Sequence, residues 1–494
     1  MYSIGYDIGS SSVKASLVEY DSGKVVAGVK YPEDEMQINS EKKGWAEQDP
    51  DLWWDYVCQA TKKIIEKYSI DTGLVKTIGI AYQMHGLVVV DENSQILRPS
   101  IIWCDSRAVQ IGEKAFLKLG SKYCKEHLFN SPANFTASKL RWVKENEPNV
   151  FKKIKKFMLP GDYIAFKFSG KVNSTVCGLS EGIFWDFKNK SVSEEILKTY
   201  DISNELVPEI VPTFGVQSTV DKKGSKESGL AEGTKISYRA GDQPNNAMSL
   251  GVLNPGQVAA TGGTSGVVYG ISNGKFVKEM TRINNFAHVS YTSKNPLVGK
   301  LLNINGAGIQ YSWLKRLIGA TSYEDMNKMA KTVPIGSEDL MVYPFGNGSE
   351  RIFENKILNT NLKNINLNTH TSAHLCRATL EGIAFAFFYG IEILKNDEIE
   401  IKVLKVGNDN LFRSEVFINT IASLINAPIE RFNTTGAVGA ARASSVENNN
   451  ISDLSNKITS QDFVDSVKPD KDLKKYKEAY NKWKYNLKSL ISSI

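Results

Sequence analysis

The stretch "AGDQPNNAMSLGVLNPGQVAATGGTSG", residues 240–266, holds a single carboxylate, Asp242, followed by Gln243, Pro244, Asn245 and Asn246. A carboxylate ringed by amide side chains suits a general base aimed at a polyhydroxy substrate, with Gln243, Asn245 and Asn246 supplying hydrogen bonds. The same residues also make an Asp-initiated turn ahead of a proline. Twenty residues on, "TGGTSG" (Thr261–Gly266) is a turn of small and hydroxylated residues. Near the N-terminus "DIGSSSVK" (Asp7–Lys14) has the same character. Small residues let backbone amides converge on an anion, and hydroxyls add donors. Asp7, at a strand end, could hold a metal ion directly or through water. Neither loop is a P-loop, since GxxxxGK[ST] is absent, and either alone reads as an ordinary hairpin turn. Two of them in matching positions point to a clamp for phosphates.

Further candidates lie between apolar runs. In "YQMHG" (82–86) His85 could donate to a sugar hydroxyl or be structural. In "IIWCDSRA", Trp103, Asp105 and Arg107 could line a pocket or form a buried aromatic with an ion pair. "NINGAGIQYSWL" and "VGNDNLF" carry Gly306, Gly308 and Gly407, where backbone could approach a flat ligand such as adenine, or simply turn.

These positions need rigid elements behind them. "YSIGYDIG", "SVKASLVEY" and "KVVAGV" alternate as a three-strand meander from residue 2. Asp49 and Pro50 signal a helix start, with Trp53, Trp54, Val57, Ile64 and Ile65 on one face. "TASKLRWVKENEP" reads as a helix ending before Pro148. "GQVAATGGTSGVVYGIS" again reads strand, turn, strand. "HLCRATLEGIAFAFFYGIEILKN" is apolar nearly all round, a buried helix. "IEIKVLKVGND" is a strand and "RSEVFINTIASLINAP" a helix. The echo between "YDIGSSSVKASLVE" and "ATGGTSGVVYGIS" implies tandem α/β halves around a cleft, divided near residues 232–242 into 1–240 and 241–494.

Bulk properties bound the rest. The chain has 494 residues, 41% apolar and 23% charged, with net charge +6. Residues 468–488 hold eight lysines against Asp470, Asp472 and Glu478, so the remainder is near neutral and no nucleic-acid footprint is expected. There Leu473, Tyr476, Tyr480, Trp483, Leu487 and Leu490 make one helical stripe, expected to dock on the body. Five cysteines without CxxC spacing imply reduced thiols rather than a disulfide or zinc framework. Neither a signal peptide nor a membrane span is expected, which fits a cytoplasmic protein.

Taken together, "YDIGSSSVKASLVE", "GWAEQDP", "YQMHGLVVVD", "IIWCDSRA", "TASKLRWVKENEP", "LPGDYIAFKFSG", "GDQPNNAMSLGVLNPGQVAATGGTSGVVY", "RATLEGIAFAF" and "TTGAVGAARAS" resemble, nearly end to end, the FGGY family of carbohydrate kinases. "QMHG" with "IIWCDSRA" and "AGDQPNNA" most resembles its xylulokinase branch. The resemblance implies an α/β fold of two ribonuclease-H-like domains of actin/hexokinase type, with ATP and a sugar in the cleft between them. It implies Asp242 as catalytic base and Asp7 as organiser of Mg²⁺. Ser10, Ser11 and Ser12, with Gly263 and Thr264, would hold ATP phosphates. Met84, His85 and Gln243 would contact the sugar, and Gly306, Gln310, Gly407 and Asn410 would approach the nucleoside. It departs from the family in having Asn408 and Asp409 where consecutive glycines are usual, and Tyr82 where a glycine is usual. The expected activity is phosphorylation of a ketopentose, D-xylulose first. Other sugar or polyol kinases, or a nucleotide-switched binding protein of the actin and chaperone kind, are the alternatives. Homodimers are common among such kinases.

Overall fold

A computed structural model describes residues 1–274, 277–446 and 450–492. Its strands form two principal sheets of one plan. In the first, β1 (Tyr2–Ile8), β2 (Val13–Glu19) and β3 (Val25–Tyr31) make the expected antiparallel meander. β4 (Val75–Tyr82) pairs parallel with β1, β6 (Lys235–Gly241) parallel with β4, and β5 (Phe214–Thr219) closes the edge antiparallel to β6. In the second, β7 (Gly256–Gly262), β8 (Gly266–Ser272) and β10 (Val298–Ile304) repeat the meander, with β9 (Asn284–Ala287) beyond β10. β11 (Ile401–Gly407) and β12 (Ile429–Phe432) follow in parallel, and β13 (Phe463–Val467) is the antiparallel edge. The repeated order puts the β1–β2 and β7–β8 turns in equivalent positions.

The sequence explains the principal helices. α1 (Pro50–Tyr68) begins at the Asp49 cap, which accepts from Asp51 N at 3.0 Å, and buries Trp53, Trp54, Val57 and Ile64 on the first sheet. α2 spans Thr136–Asn146, α3 Val176–Glu181, α4 Asp242–Ser249, α5 Gly308–Leu317 and α6 Tyr323–Lys331. α7 (Ser372–Asn396) is buried along most of its length in the core of the second half, beside α8 (Glu415–Ile425). α9 is Gly436–Ser444 and α10 Leu473–Ser492. α10 docks through Tyr476, Tyr480, Trp483 and Leu487, with the Trp483 indole donating to Val342 O at 2.9 Å. Its lysines stay outside, where Lys482 reaches Asp339 and Lys484 reaches Glu392.

Where the halves meet, side-chain size decides the geometry. Gly5 and Gly79 are register partners on β1 and β4. A Cβ on either would overlap the backbone of α9, at Ala437 O and Ala440 O respectively. Paired glycines thus make a flat patch that an alanine-rich helix can approach backbone to backbone. α9 follows β12 of the second sheet yet packs on β1 and β4 of the first, and against α4. The two helices α4 and α9 therefore join the halves directly beneath the cleft. All five cysteines are free thiols, and among the described residues no helix is long and apolar enough to cross a membrane.

Candidate active site

The cleft is built outward from these two helices. "DQPNNAMS" folds as α4, not as an open turn, so Asp242 is the first residue of a helix at the end of β6. The helix dipole favours a negative charge there. Two other acids gather around it. Asp7 lies beside Asp242, and a Cβ on Gly241 would stand 2.5 Å from Glu181 Oε2 and 2.6 Å from Met84 Cγ. Burial, then the neighbouring Asp7 charge, pushes Asp242 up to about 7, despite hydrogen bonds from Gln243 and the charge of Lys14. Burial raises Asp7 too, against the pull of Lys14. Glu181 is held well above the usual carboxylate range by burial and by Asp242, and its Oε1 is buried without a hydrogen-bond partner. A cluster of carboxylates this short of countercharge fits a cation. No group of three metal-ligating side chains forms among the described residues, so such an ion would rest on few protein ligands.

The amide neighbours divide. Gln243 hydrogen-bonds the Asp242 carboxylate and stays with the cleft. Asn245, expected to serve the substrate, is fully buried and donates to Gly436 O at 3.0 Å, tying α4 to α9. Asn246 likewise lies against Gly436. The helical rise turns Asn245 away from the cleft, whereas Asn246 Oδ1 and Asp7 Oδ2 stand 2.7 and 2.8 Å from the same point, where a Gly436 Cβ would be, so Asn246 stays beside the acids.

Met84 and His85 end the β4 loop next to Glu181. His85 adopts a left-handed backbone, φ 62°. Its ring stands between Phe135 (4.7 Å, edge-on) and Phe286 of β9 (5.2 Å). Burial drops its pKa to about 3, helped by the charge of Lys139, so the ring is neutral. Its Nδ1 lies 3.0 Å from Glu181 O. A carbonyl oxygen only accepts, so the proton sits on Nδ1 and Nε2 is an acceptor. A ring in this tautomer would accept from a sugar hydroxyl rather than donate to one. Behind it, the fully buried Lys139 donates to His85 O (2.7 Å) and Ile102 O (2.9 Å), and burial lowers its pKa to about 7.

"IIWCDSRA" also divides. Arg107 pairs with Asp105 at 2.7 Å and stacks on Trp45 (3.8 Å) and Trp142 (4.8 Å), a buried scaffold. Trp103 is instead 52% exposed, with Nε1 3.4 Å from Ser10 Oγ, and stands over the serine turn.

Both small-residue turns hide their carbonyls. Ser10 O accepts from Gln48 Nε2 (2.7 Å), Ser11 O from Met36 N (2.8 Å) and Ser12 O from Gly9 N (3.0 Å). Gly263 O and Thr264 O accept from Gly308 N and Ile309 N, each at 3.0 Å. What remains for the cleft is amides and hydroxyls, the donors an anion needs. Beside the second turn opens a cavity of about 580 Å³, whose lining includes Gly263, Thr264, Gly308, Asn410 and Arg413. Tyr311, Tyr323 and Asn327 also line it, none of them flagged by the sequence reading. The two tyrosine rings stack at 5.8 Å, and Tyr311 OH donates to Asn327 at 3.0 Å. Gly306, Gln310 and Gly407 are not in that lining. Gly306 is a glycine because a Cβ would overlap Pro344 O, and Gln310 is buried and accepts from Thr360 at 2.7 Å. The Asp409 carboxyl folds back to within 3.2 Å of where a Gly407 Cβ would be.

Two repeated sheets joined beneath a cleft, with facing donor-rich turns at its rim, are the architecture of the actin/hexokinase-like kinases. The chain belongs to the FGGY family of carbohydrate kinases, whose N-terminal domain matches residues 2–249 and C-terminal domain residues 258–447. It is 28% identical over 451 residues to the xylulose kinase of Bacillus subtilis, covering 89% of this chain and 87% of that protein. The crystal structure of xylulose kinase from Rhodospirillum rubrum superposes with a TM-score of 0.88 at 23% identity over 99% of both chains. Plasmodium falciparum glycerol kinase with ADP gives 0.88 at 18% identity, over 99% of this chain and 98% of that one. The protein is therefore an enzyme, an ATP-using carbohydrate kinase acting on a small sugar-type substrate.

Proposed function

We propose that the enzyme transfers the γ-phosphoryl group of ATP to a primary hydroxyl of a ketopentose, D-xylulose foremost, with Asp242 as general base. The observation that carries this reading is the placement of Asp242. It heads α4, is raised to about 7, and stands beside Met84 and close to the first phosphate turn. A base poised near neutrality accepts a hydroxyl proton without being permanently protonated. Met84, His85 and Gln243 would position the sugar. His85 Nε2 accepts from a hydroxyl, and the Phe135–Phe286 pair fixes its ring.

Phosphoryl transfer needs alignment and charge neutralisation more than covalent help. Ser10, Ser11 and Ser12 from the first turn, with Gly263 and Thr264 from the second, would hold the ATP phosphates through amides and hydroxyls. The tyrosine-lined cavity would take the nucleoside, with Asn410 at its rim and Gly306, Gln310 and Gly407 shaping its walls from behind. Asp7 would hold Mg²⁺, which when bound supplies positive charge to the phosphates. The division we adopt, 1–240 and 241–494, puts the base at the junction of the halves, within the stretch 2–249 that the N-terminal family domain matches, and closure over that junction would exclude water.

ADP release from MgATP, measured across D-xylulose, L-xylulose, D-ribulose, L-ribulose, glycerol and gluconate with a no-sugar control, tests the substrate. Stimulation by D-xylulose above the others is expected. Preference for glycerol or gluconate would overturn the assignment while leaving the kinase reading in place.

A further inference from the structure

The outermost strand at one edge of the second sheet is not left to solvent. β9 pairs with β10 on one side only, so the peptide groups of its other edge must be satisfied elsewhere. Residues of the first half take them. The Asn130 carboxamide accepts from Asn285 N at 2.8 Å and donates to Asn285 O, as the peptide of a neighbouring strand would. The Asn285 side chain returns the contact by donating to Phe129 O at 3.0 Å. Two residues on, Ala287 N donates to Ser180 Oγ of α3 at 2.9 Å, and Cys177 Sγ of the same helix donates to His288 O at 3.2 Å. Further along, Lys190 Nζ donates to Ser293 O at 2.7 Å, and Trp185 and Phe187 pack edge-on against Tyr291. Asn130, Ser180, Asn285 and Phe286 are all buried. β9 is thus a strap from the second half, fastened along the first.

What the strap carries is Phe286. Its ring stands 5.2 Å from His85 and 5.7 Å from Phe135, and Phe135 stands 4.7 Å from His85. Phe135 and Phe286 are buried, whereas His85 keeps some accessible surface, and its Nε2 has no hydrogen-bond partner among the described residues. Two rings therefore fix the imidazole and leave one nitrogen open. The strap bears on the other nitrogen as well. His85 Nδ1 donates to Glu181 O, and the residue before Glu181, Ser180, is the one that Ala287 N holds. His85, Phe135 and Glu181 all belong to the first half. Phe286 is the one ring of this cluster that the second half supplies.

Resting on the sugar-kinase reading above, in which His85 contacts the sugar, we infer that Phe286 is a positioning residue: held on the strap, it aligns the His85 ring for the sugar hydroxyl, so the sugar site is complete only when both halves are engaged. The first half alone supplies the histidine and one ring. Without the second ring the imidazole is free to turn, and its accepting nitrogen loses a fixed direction. A hydrogen bond weakens steeply once its angle opens. The nucleotide cavity is lined by other residues, so the loss falls on the sugar.

Phe286→Leu tests this, since it keeps apolar bulk on the strand and removes the ring. With D-xylulose, or whichever member of the panel above best stimulates ADP release, the sugar KM should rise roughly 3- to 10-fold while kcat and the KM for ATP stay within about twofold. His85→Gln should raise the sugar KM too, and adding Phe286→Leu to it should change little more, because residues acting as one unit are not additive. Asn130→Ala, which loosens the strap and alters none of the three rings, should move the sugar KM in the same direction, and it carries the test where Phe286→Leu does not fold. Equal rises in both KM values with a fallen kcat and Tm would mean a residue of the general scaffold and overturn the proposal. Full additivity in the double variant, or a normal sugar KM in Phe286→Leu beside a raised one in His85→Gln, would overturn it while leaving the kinase reading standing. A normal sugar KM in His85→Gln would remove the His85 contact from that reading, and the proposal with it.

Discussion

Substituting Gly308 by alanine probes the nucleotide side of the cleft at one defined contact. Gly308 N and Ile309 N hold Gly263 O and Thr264 O at 3.0 Å, so the head of α5 and the second turn are locked together. A Cβ on Gly308 would fall under 3.0 Å from Gly263 O. Relief requires the turn or the helix to move by roughly 1 Å, since comfortable heavy-atom contacts lie near 3.5 Å. Overpacking of this kind costs about 1–3 kcal/mol. If the turn gives way, that energy appears as lost ATP affinity, about 5- to 150-fold. Isothermal titration with ATP, and KM for ATP and sugar measured separately, read the effect. The KM for ATP should rise while the KM for sugar holds. Gly28→Ala is the control, because its nearest neighbour, Ser16 Oγ, is 3.7 Å from the new Cβ. Unchanged ATP affinity at unchanged Tm in Gly308→Ala would refute the claim that this contact sets the phosphate turn.

Two pH effects follow from buried groups. With Asp242 raised to about 7 in the free enzyme, kcat/KM for the sugar should fall about tenfold per unit as pH drops below that value, because a protonated base cannot act; a profile flat to pH 5 would contradict this. His288 is fully buried and its pKa falls to about 3 by burial alone. The folded ring stays neutral between about pH 6.5 and 3 while the unfolded chain binds a proton, so stability drops as pH falls through that window, by about 2 kcal/mol at pH 5. Urea titrations at pH 7.5 and 5 should show a loss that is smaller in His288→Gln by about 2 kcal/mol, the part due to His85 remaining; an equal loss in both proteins would count against the buried neutral ring of His288.

The sequence exposed this site unevenly, for physical reasons. Hydroxyl- and glycine-rich turns between alternating strands announce themselves by composition, so Ser10–Ser12 and Gly263–Thr264 stood out. Asp49–Pro50 is a local cap signal and needed no tertiary information. α4 was hidden because its first turn carries Pro244 and two asparagines, residues read as turn formers, although proline is tolerated there. Consequently Asn245 pointed the wrong way in a linear reading. The Gly5–Gly79 patch shows only when two distant strands are in register, yet an isolated glycine in each strand was the available clue. Tyr323 and Glu181 sit in stretches without motif character, and Tyr311 sits in a quoted loop whose glycines drew the attention. Their roles arise from packing between segments far apart in the chain, which no local pattern encodes.

The most direct test of the central claim is the Asp242→Asn enzyme. The substitution keeps the shape and removes the proton acceptor. With D-xylulose and MgATP, kcat should fall about 10²- to 10⁴-fold while ATP affinity, measured by titration, stays near the wild-type value. Turnover close to wild type in a variant that binds ATP normally would contradict the assignment of Asp242 as the base.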